Sequence, residues 1–142
     1  MVSAAAALAI AVAVYGRGCN ASDDTAKAAA VRFLAASRAG TPGIMYEMMS
    51  KQTRKDLQDA ARKATELVGG SRRFEAVDMI SIAAAPRETP PPTLVETERG
   101  SGRVVFTVQG AQNDPSTRLV LVLEDGRWRV DVPDFHLAVD KP

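Results

Sequence analysis

The chain has 142 residues with a single cysteine and a single histidine, and its 18 basic residues nearly balance its 17 acidic ones. This length suits one domain, and the charge balance excludes the basic excess with which proteins attract nucleic acid. One cysteine excludes an internal disulfide, and Cys19 with His136 is too small a ligand set for a structural metal site, so we predict no metal, no cofactor and no nucleic-acid partner.

An apolar segment opens the chain. Residues 2–14, VSAAAALAIAVAV, carry no charge. The run is shorter than the roughly 20 residues of a membrane span, but it is typical of the core of a secretory signal. Small residues and then Cys19 follow. This order resembles the lipobox of bacterial lipoproteins, whose cysteine is lipidated and becomes the mature N-terminus. The sequence departs from that pattern at Gly16, where the family usually has Leu, and at Arg17.

The lipobox resemblance implies a division of the N-terminal region. Residues 1–18 would be a lipoprotein-type signal peptide, residues 19–22 a short tether, and Cys19 the point of lipid attachment. The mature protein would then be exported and anchored at the cell envelope, on the periplasmic or outer face. The alternatives are a secretory signal cut elsewhere, an uncleaved anchor, and a helix of a cytosolic protein.

Three helices are predicted next, over residues 22–40, 41–49 and 50–70. The first begins with capping residues and ends at a glycine, and the second has Pro42 at its first position. The third has the clearest helical periodicity, and its apolar face is formed by Leu57, Ala60, Ala61, Ala64, Leu67 and Val68.

The period then changes to that of strands. Residues 74–84 are predicted as a first strand, and the proline-rich segment 86–92 interrupts the pattern. Asp125–Gly126 predicts a two-residue hairpin turn. In that hairpin Glu124 faces Arg127, Leu123 faces Trp128, and Leu121 faces Val130, which makes one face apolar.

A second hairpin is predicted around Gly100–Ser101. Its expected pairs are Glu98 with Arg103, Val95 with Phe106, and Thr93 with Val108. Because the apolar face of the sheet needs a cover, the sequence predicts an α+β fold. Three N-terminal helices would pack on one face of a curved antiparallel sheet of about four to five strands.

The order of these parts resembles the nuclear transport factor 2-like, or cystatin-like cone, superfamily. The resemblance lies in DTAKAAAVRFLAASRAG and MYEMMSKQTRKDL at the front and LVLVLEDGRWRVDVP at the end. It covers residues 23–133 and leaves residues 134–142 as a tail. The fold hosts isomerases, dehydratases, ligand binders and assembly modules, so the resemblance implies no single activity.

Enzymes of this superfamily carry an Asp or His base, and often a Tyr, inside the cone. Four residues of the matching types are Tyr46, Asp78, Asp131 and His136. Asp131 is expected outside the cone because it faces Val120, and His136 follows the last strand. General acid–base catalysis needs groups that converge, and the spacing brings no such pair together. We therefore predict that the protein is not an enzyme.

Two functions follow from the sequence. The first is a lipid-anchored cell-envelope protein with a non-catalytic binding or assembly domain. Its partners would be the membrane, through the lipid, and either a second copy of the chain or another envelope protein. The expected interface is the outer sheet face, which would have no intramolecular cover, at Val105, Val120 and Val122.

The alternative function is a cone-shaped pocket for a small apolar ligand, with isomerase- or dehydratase-like acid–base chemistry in its strongest form. Methionine side chains repack easily and suit such a lining. The candidate lining residues are Phe33, Met45, Tyr46, Met48, Met49 and Trp128.

Overall fold

The computed structural model describes residues 25–80, 90–110 and 117–133. Three α-helices precede a curved four-stranded antiparallel sheet, which confirms the predicted α+β class. The helices are α1 (Ala26–Ala39), α2 (Pro42–Met48) and α3 (Lys51–Leu67), and a 3-10 helix spans Ala76–Met79. The strands are β1 (Thr93–Gly100), β2 (Arg103–Gln109), β3 (Thr117–Glu124) and β4 (Arg127–Asp131), and they lie side by side in chain order.

Helix α1 provides a small-residue face for the core. Thr25 caps it by accepting the N–H of Ala28 at 3.1 Å, and Gly40 ends it with a left-handed φ of 67°. The alanines let the helix backbone approach the sheet closely, while one aromatic ring fills the remaining space. The residues buried on this face are Ala26, Ala29, Ala30, Phe33 and Ala36.

Helix α3 is buried only over its first turns. Leu57 and Ala61 are buried as predicted, but Leu67 is 87% exposed and Val68 42% exposed. The predicted apolar face is therefore wrong for its last turn, where the helix extends past the apolar surface that covers it. Gly69 and Gly70 follow with positive φ and end the helical region.

The first predicted strand is wrong where the structure describes it. Within residues 74–84 the chain forms the 3-10 helix instead, and residues 81–84 lie outside the described residues. The carboxylate of Glu75 accepts the backbone N–H of Asp78, and the carboxylate of Asp78 accepts that of Glu75. These local hydrogen bonds stabilise a turn at the expense of an extended strand.

The β3–β4 hairpin has the predicted register. Glu124 pairs with Arg127, Leu123 with Trp128, and Leu121 with Val130. Both turn residues have positive φ, 50° at Asp125 and 75° at Gly126, as a tight hairpin turn of this kind requires.

The predicted register of the β1–β2 hairpin is wrong. Gly100 pairs with Arg103, and Glu98 pairs with Val105. The turn residues are Ser101 and Gly102, because it is Gly102 that takes the positive φ of 72°. A bulge between Glu96 and Glu98 then shifts the rest of the pairing by one residue.

The core lies between α1, α2 and one face of the sheet. Val104, Phe106, Leu121 and Val130 are at most 2% exposed there. At the β4 edge, Met49 forms a parallel bridge with Val130, and the N–H of Ser50 donates to the carbonyl of Val130 at 2.7 Å. This contact places the start of α3 beside the edge strand.

Candidate functional site

The six candidate pocket residues lie close together, but they do so largely as part of the packed core. Phe33, Met45 and Met49 are 8%, 6% and 5% exposed and belong to the core cluster. Tyr46, Met48 and Trp128 are partly buried and pack against that cluster. Trp128 faces Leu123, which is 47% exposed, so this pair forms the open end of the apolar face.

The acid–base candidates are dispersed in the described part of the chain. The hydroxyl of Tyr46 accepts a hydrogen bond from Gln58 at 2.8 Å in an exposed position. Asp78 is exposed and forms the capping pair with Glu75. Asp131 faces Val120 across β3 and β4, as predicted. His136 lies outside the described residues, as does Cys19.

Asp131 belongs to a polar cluster that the sequence does not reveal. Ser50 donates its hydroxyl to Asp131 Oδ1 at 2.6 Å, and Thr53 donates to the same oxygen at 3.3 Å. Each hydroxyl also accepts a backbone N–H: Ser50 from Thr53 at 3.0 Å, and Thr53 from Val132 at 2.9 Å.

The hydrogen bonds of this cluster connect α3 to β4. Ser50 and Thr53 are 1% and 2% exposed, and the described residues include no buried side-chain polar atom without a partner. Since each hydroxyl has one proton, the arrangement uses both of them fully. The cluster is therefore a satisfied structural contact. The only signal in the sequence was the helix cap at Ser50, and nothing near it pointed to a residue 81 positions away.

The expected interface valines are not an uncovered surface. Val105 is 0% exposed and Val120 is 6% exposed, while Val122 is partly buried. The expectation that this face has no intramolecular cover is therefore wrong for Val105 and Val120. The two valines occupy one row across the sheet, between Glu98 on β1 and Asp131 on β4. At one end of the row Glu98 forms ion pairs with Arg103 and Arg118, at 3.1 and 2.7 Å.

A charged cleft lies where the first turn of α3 meets the tip of the β3–β4 hairpin. Its volume is about 280 Å³, and we call it the basic cleft. Both Oε atoms of Glu124 accept the N–H of Lys51 at 3.2 Å, and Asp125 pairs with Nζ of Lys51 at 2.7 Å. The lining side chains are Lys51, Arg54, Glu124, Asp125, Arg127 and Arg129.

The Lys51–Asp125 pair shifts both pKa values. The hydrogen bond from Lys51, and then its charge, lower the pKa of the Asp125 carboxyl. The same bond to Asp125, and then the charge of Asp125, raise the pKa of Lys51, although desolvation and, less strongly, the neighbouring charge of Arg54 oppose that shift. Both side chains are largely exposed, at 65% and 79%, so the pair is screened by solvent.

Among the residues that the structure describes, no group of His, Cys, Asp and Glu side chains is arranged to hold a metal ion. No helix in the same ranges is both long enough and apolar enough to span a bilayer.

Comparison of the chain with protein families, with curated proteins and with solved structures found no match. The nuclear transport factor 2-like relationship and the lipoprotein relationship therefore stay predictions from the sequence.

Proposed function

We propose that this protein is a lipid-anchored component of the cell envelope whose folded region is a non-catalytic binding or assembly domain. The anchor would be a lipid on Cys19, directly after the apolar run of residues 2–14. The proposed domain, residues 23–133, is long enough to form one hydrophobic core.

The observation that carries the non-catalytic part of the proposal is the packing of the interior. Ala30 and Leu121 are 0% exposed and Phe106 is 2% exposed, so the helix–sheet interface is occupied by the chain's own side chains. Phe33, Met45 and Met49, the residues expected to line a pocket, lie in this same cluster. A packed interior favours a domain that acts through its surface over one that encloses a ligand.

The use of the polar side chains supports the same proposal. Asp131 is engaged by Ser50 and Thr53, and Asp78 is engaged in a helix cap. The hydroxyl of Tyr46 is bonded at the surface. A general acid or base must be free to reach a substrate proton, whereas these groups hold parts of the fold together.

The anchor can be tested by replacing Cys19 with Ser in the full chain. We expect the wild type to gain the mass of a lipid on Cys19 and to fractionate with membranes. The Cys19→Ser variant should lose the lipid mass and move to the soluble or precursor fraction. Intact-mass spectrometry and membrane fractionation measure the two effects.

A matched control keeps one thiol but moves it. The double variant Cys19→Ser, Ser22→Cys has the same composition near the apolar run, with the cysteine three residues later. If lipidation depends on the position after the signal, this variant should remain without lipid. A mature wild-type protein that retains an unmodified Cys19 would rule out the lipid anchor and leave ordinary export.

A further inference from the structure

The basic cleft contains two cations that the fold does not use. The guanidinium groups of Arg54 and Arg127 make no hydrogen bond or ion pair with any other residue of the described ranges. Arg129 donates to the carbonyl oxygen of Glu47 at 2.6 Å, which uses one of its five N–H groups. The cleft therefore presents several guanidinium donors without acceptors.

The two carboxylates of the cleft are already committed to Lys51. Glu124 accepts the backbone N–H of Lys51, and Asp125 pairs with its ammonium group. Glu124 therefore already binds the N-terminal end of helix α3. The unoccupied donors of the cleft are its guanidinium groups and not this helix end. With four cations and two carboxylates, the lining has an excess of two positive charges.

The charge and size of the cleft favour a small oxyanion. A phosphate monoester carries a charge of about −1.5 to −2 near neutral pH and has three strong acceptor oxygens, while the phosphodiester of a lipid headgroup carries one negative charge and has two free oxygens. Its geometry matches the fork of a guanidinium group, which binds phosphate through paired hydrogen bonds. The volume of about 280 Å³ is below the range of roughly 300–1,000 Å³ that holds drug-sized organic ligands.

We propose that the basic cleft binds a phosphoryl group, with Arg54 and Arg127 as its main ligands. A second cleft is a useful comparison because its lining has a different balance of charge. It lies between α3 and the 3-10 helix and is larger, at about 730 Å³. Its lining includes three carboxylates (Asp59, Glu66 and Glu75) and only two guanidinium groups (Arg62 and Arg73), so it has no cationic excess.

The phosphoryl group could belong to a soluble phosphate compound or to a phospholipid headgroup, and two measurements separate these sources. The full chain with Cys19→Ser is titrated with inorganic phosphate, and the side-chain N–H signals of its arginines are followed by NMR. The same protein is sedimented with vesicles of phosphatidylglycerol and, separately, of phosphatidylcholine. Both measurements are repeated with Arg54→Gln, Arg127→Gln.

The control variant is Lys27→Gln, Arg32→Gln, which removes the same charge from the exposed start of α1. Phosphate should shift the Arg54 and Arg127 signals saturably. The cleft variant should weaken binding by about tenfold or more, because two charge-assisted hydrogen bonds are lost. The control variant should change the affinity by less than about twofold. Both double variants should keep the wild-type unfolding temperature. The guanidinium groups that the cleft variant replaces make no hydrogen bond or ion pair within the described residues.

Each outcome is decisive. Saturable binding of phosphate that depends on the cleft supports a soluble ligand. A phospholipid headgroup is supported if the protein sediments with phosphatidylglycerol vesicles but not with phosphatidylcholine vesicles, and if the cleft variant loses this sedimentation. The proposal is overturned if neither probe distinguishes the cleft variant from the control, or if phosphate shifts all arginines in parallel without saturation.

Discussion

Asp131, the last residue of β4, accepts a 2.6 Å hydrogen bond from Ser50, the residue that caps α3. The same Ser50 hydroxyl accepts the N–H of Thr53, so one side chain closes the helix end and attaches it to β4. This contact joins two parts of the chain that are 81 residues apart. It makes the position of α3 dependent on the completed hairpin.

The Ser50–Asp131 contact should therefore be worth more than an ordinary helix cap. Ser50→Ala should lower the free energy of unfolding by about 2–3 kcal/mol, since the cap is lost and a partly buried carboxylate loses a donor. Asp131→Asn should destabilise as well, and the double variant should cost less than the sum of the singles. Urea unfolding of all three proteins gives the coupling energy.

Thr25→Ala is the matched control for the cap. Thr25 caps α1 through Ala28 alone and is exposed, so its removal should cost about 1 kcal/mol or less and should not couple to Asp131. Strictly additive effects of Ser50→Ala and Asp131→Asn would show that the two groups do not interact in solution.

The turn of the β1–β2 hairpin can be checked with two glycines. Gly102 has a φ of 72°, whereas Gly100 has no positive φ. Gly102→Ala should destabilise the protein by about 1–2 kcal/mol because an alanine is strained there. Gly100→Ala should change stability by less than about 0.5 kcal/mol. If thermal unfolding reverses that order, the turn lies at Gly100–Ser101.

The burial of the outer sheet face predicts a difference between neighbouring valines. Val120 is 6% exposed and Val122 is partly buried. Val120→Lys should lower the free energy of unfolding by about 2–5 kcal/mol, because it places a charge among buried groups. Val122→Lys should cost less than half of that. Equal and negligible effects in chemical denaturation would mean that Val120 is open to solvent.

The Lys51–Asp125 pair should show in the acid titration of the hairpin tip. The pKa of Asp125 is lowered from the ordinary value of 3.8, so the pair contributes stability above that pH and loses it as the pH falls through the lowered value. At basic pH, the pKa of Lys51 is raised above the ordinary value of 10.5. The stability that the charged lysine contributes is therefore lost only as the pH rises past that raised pKa. NMR titration of the Asp125 carboxyl measures the first shift.

Lys51→Met should return the pKa of Asp125 toward 3.8, because the main cause of the shift is removed. Lys55→Met removes an equal charge one turn further along α3 and should leave most of the shift in place. An Asp125 carboxyl that titrates at its ordinary value in the wild type would contradict the pairing.

Much of the fold could be predicted because it depends on short-range pattern. The helical spacing of Ala26, Ala30 and Phe33, and the caps at Ser50 and Gly40, each depend on residues within a few positions. The Asp125–Gly126 turn likewise set the register of its hairpin, because a two-residue turn allows only one pairing of the two strands. The errors arose where two local solutions compete. Either glycine could have formed the β1–β2 turn, and the segment around Asp78 satisfied its backbone with side chains in place of a neighbouring strand.

The sequence by itself was enough to locate the apolar run before Cys19 and to predict that the helices precede the strands. It was also enough to place Leu121 and Val130 on one face of the sheet. Only the tertiary structure decided what the polar groups do. Asp131 accepts hydrogen bonds from Ser50 and Thr53, and Arg54 and Arg127 line one cleft, because the start of α3 lies against the β4 edge. A period of 3.6 or 2 residues indicates which face is apolar, but it contains no information on which distant side chain that packing brings within hydrogen-bond distance.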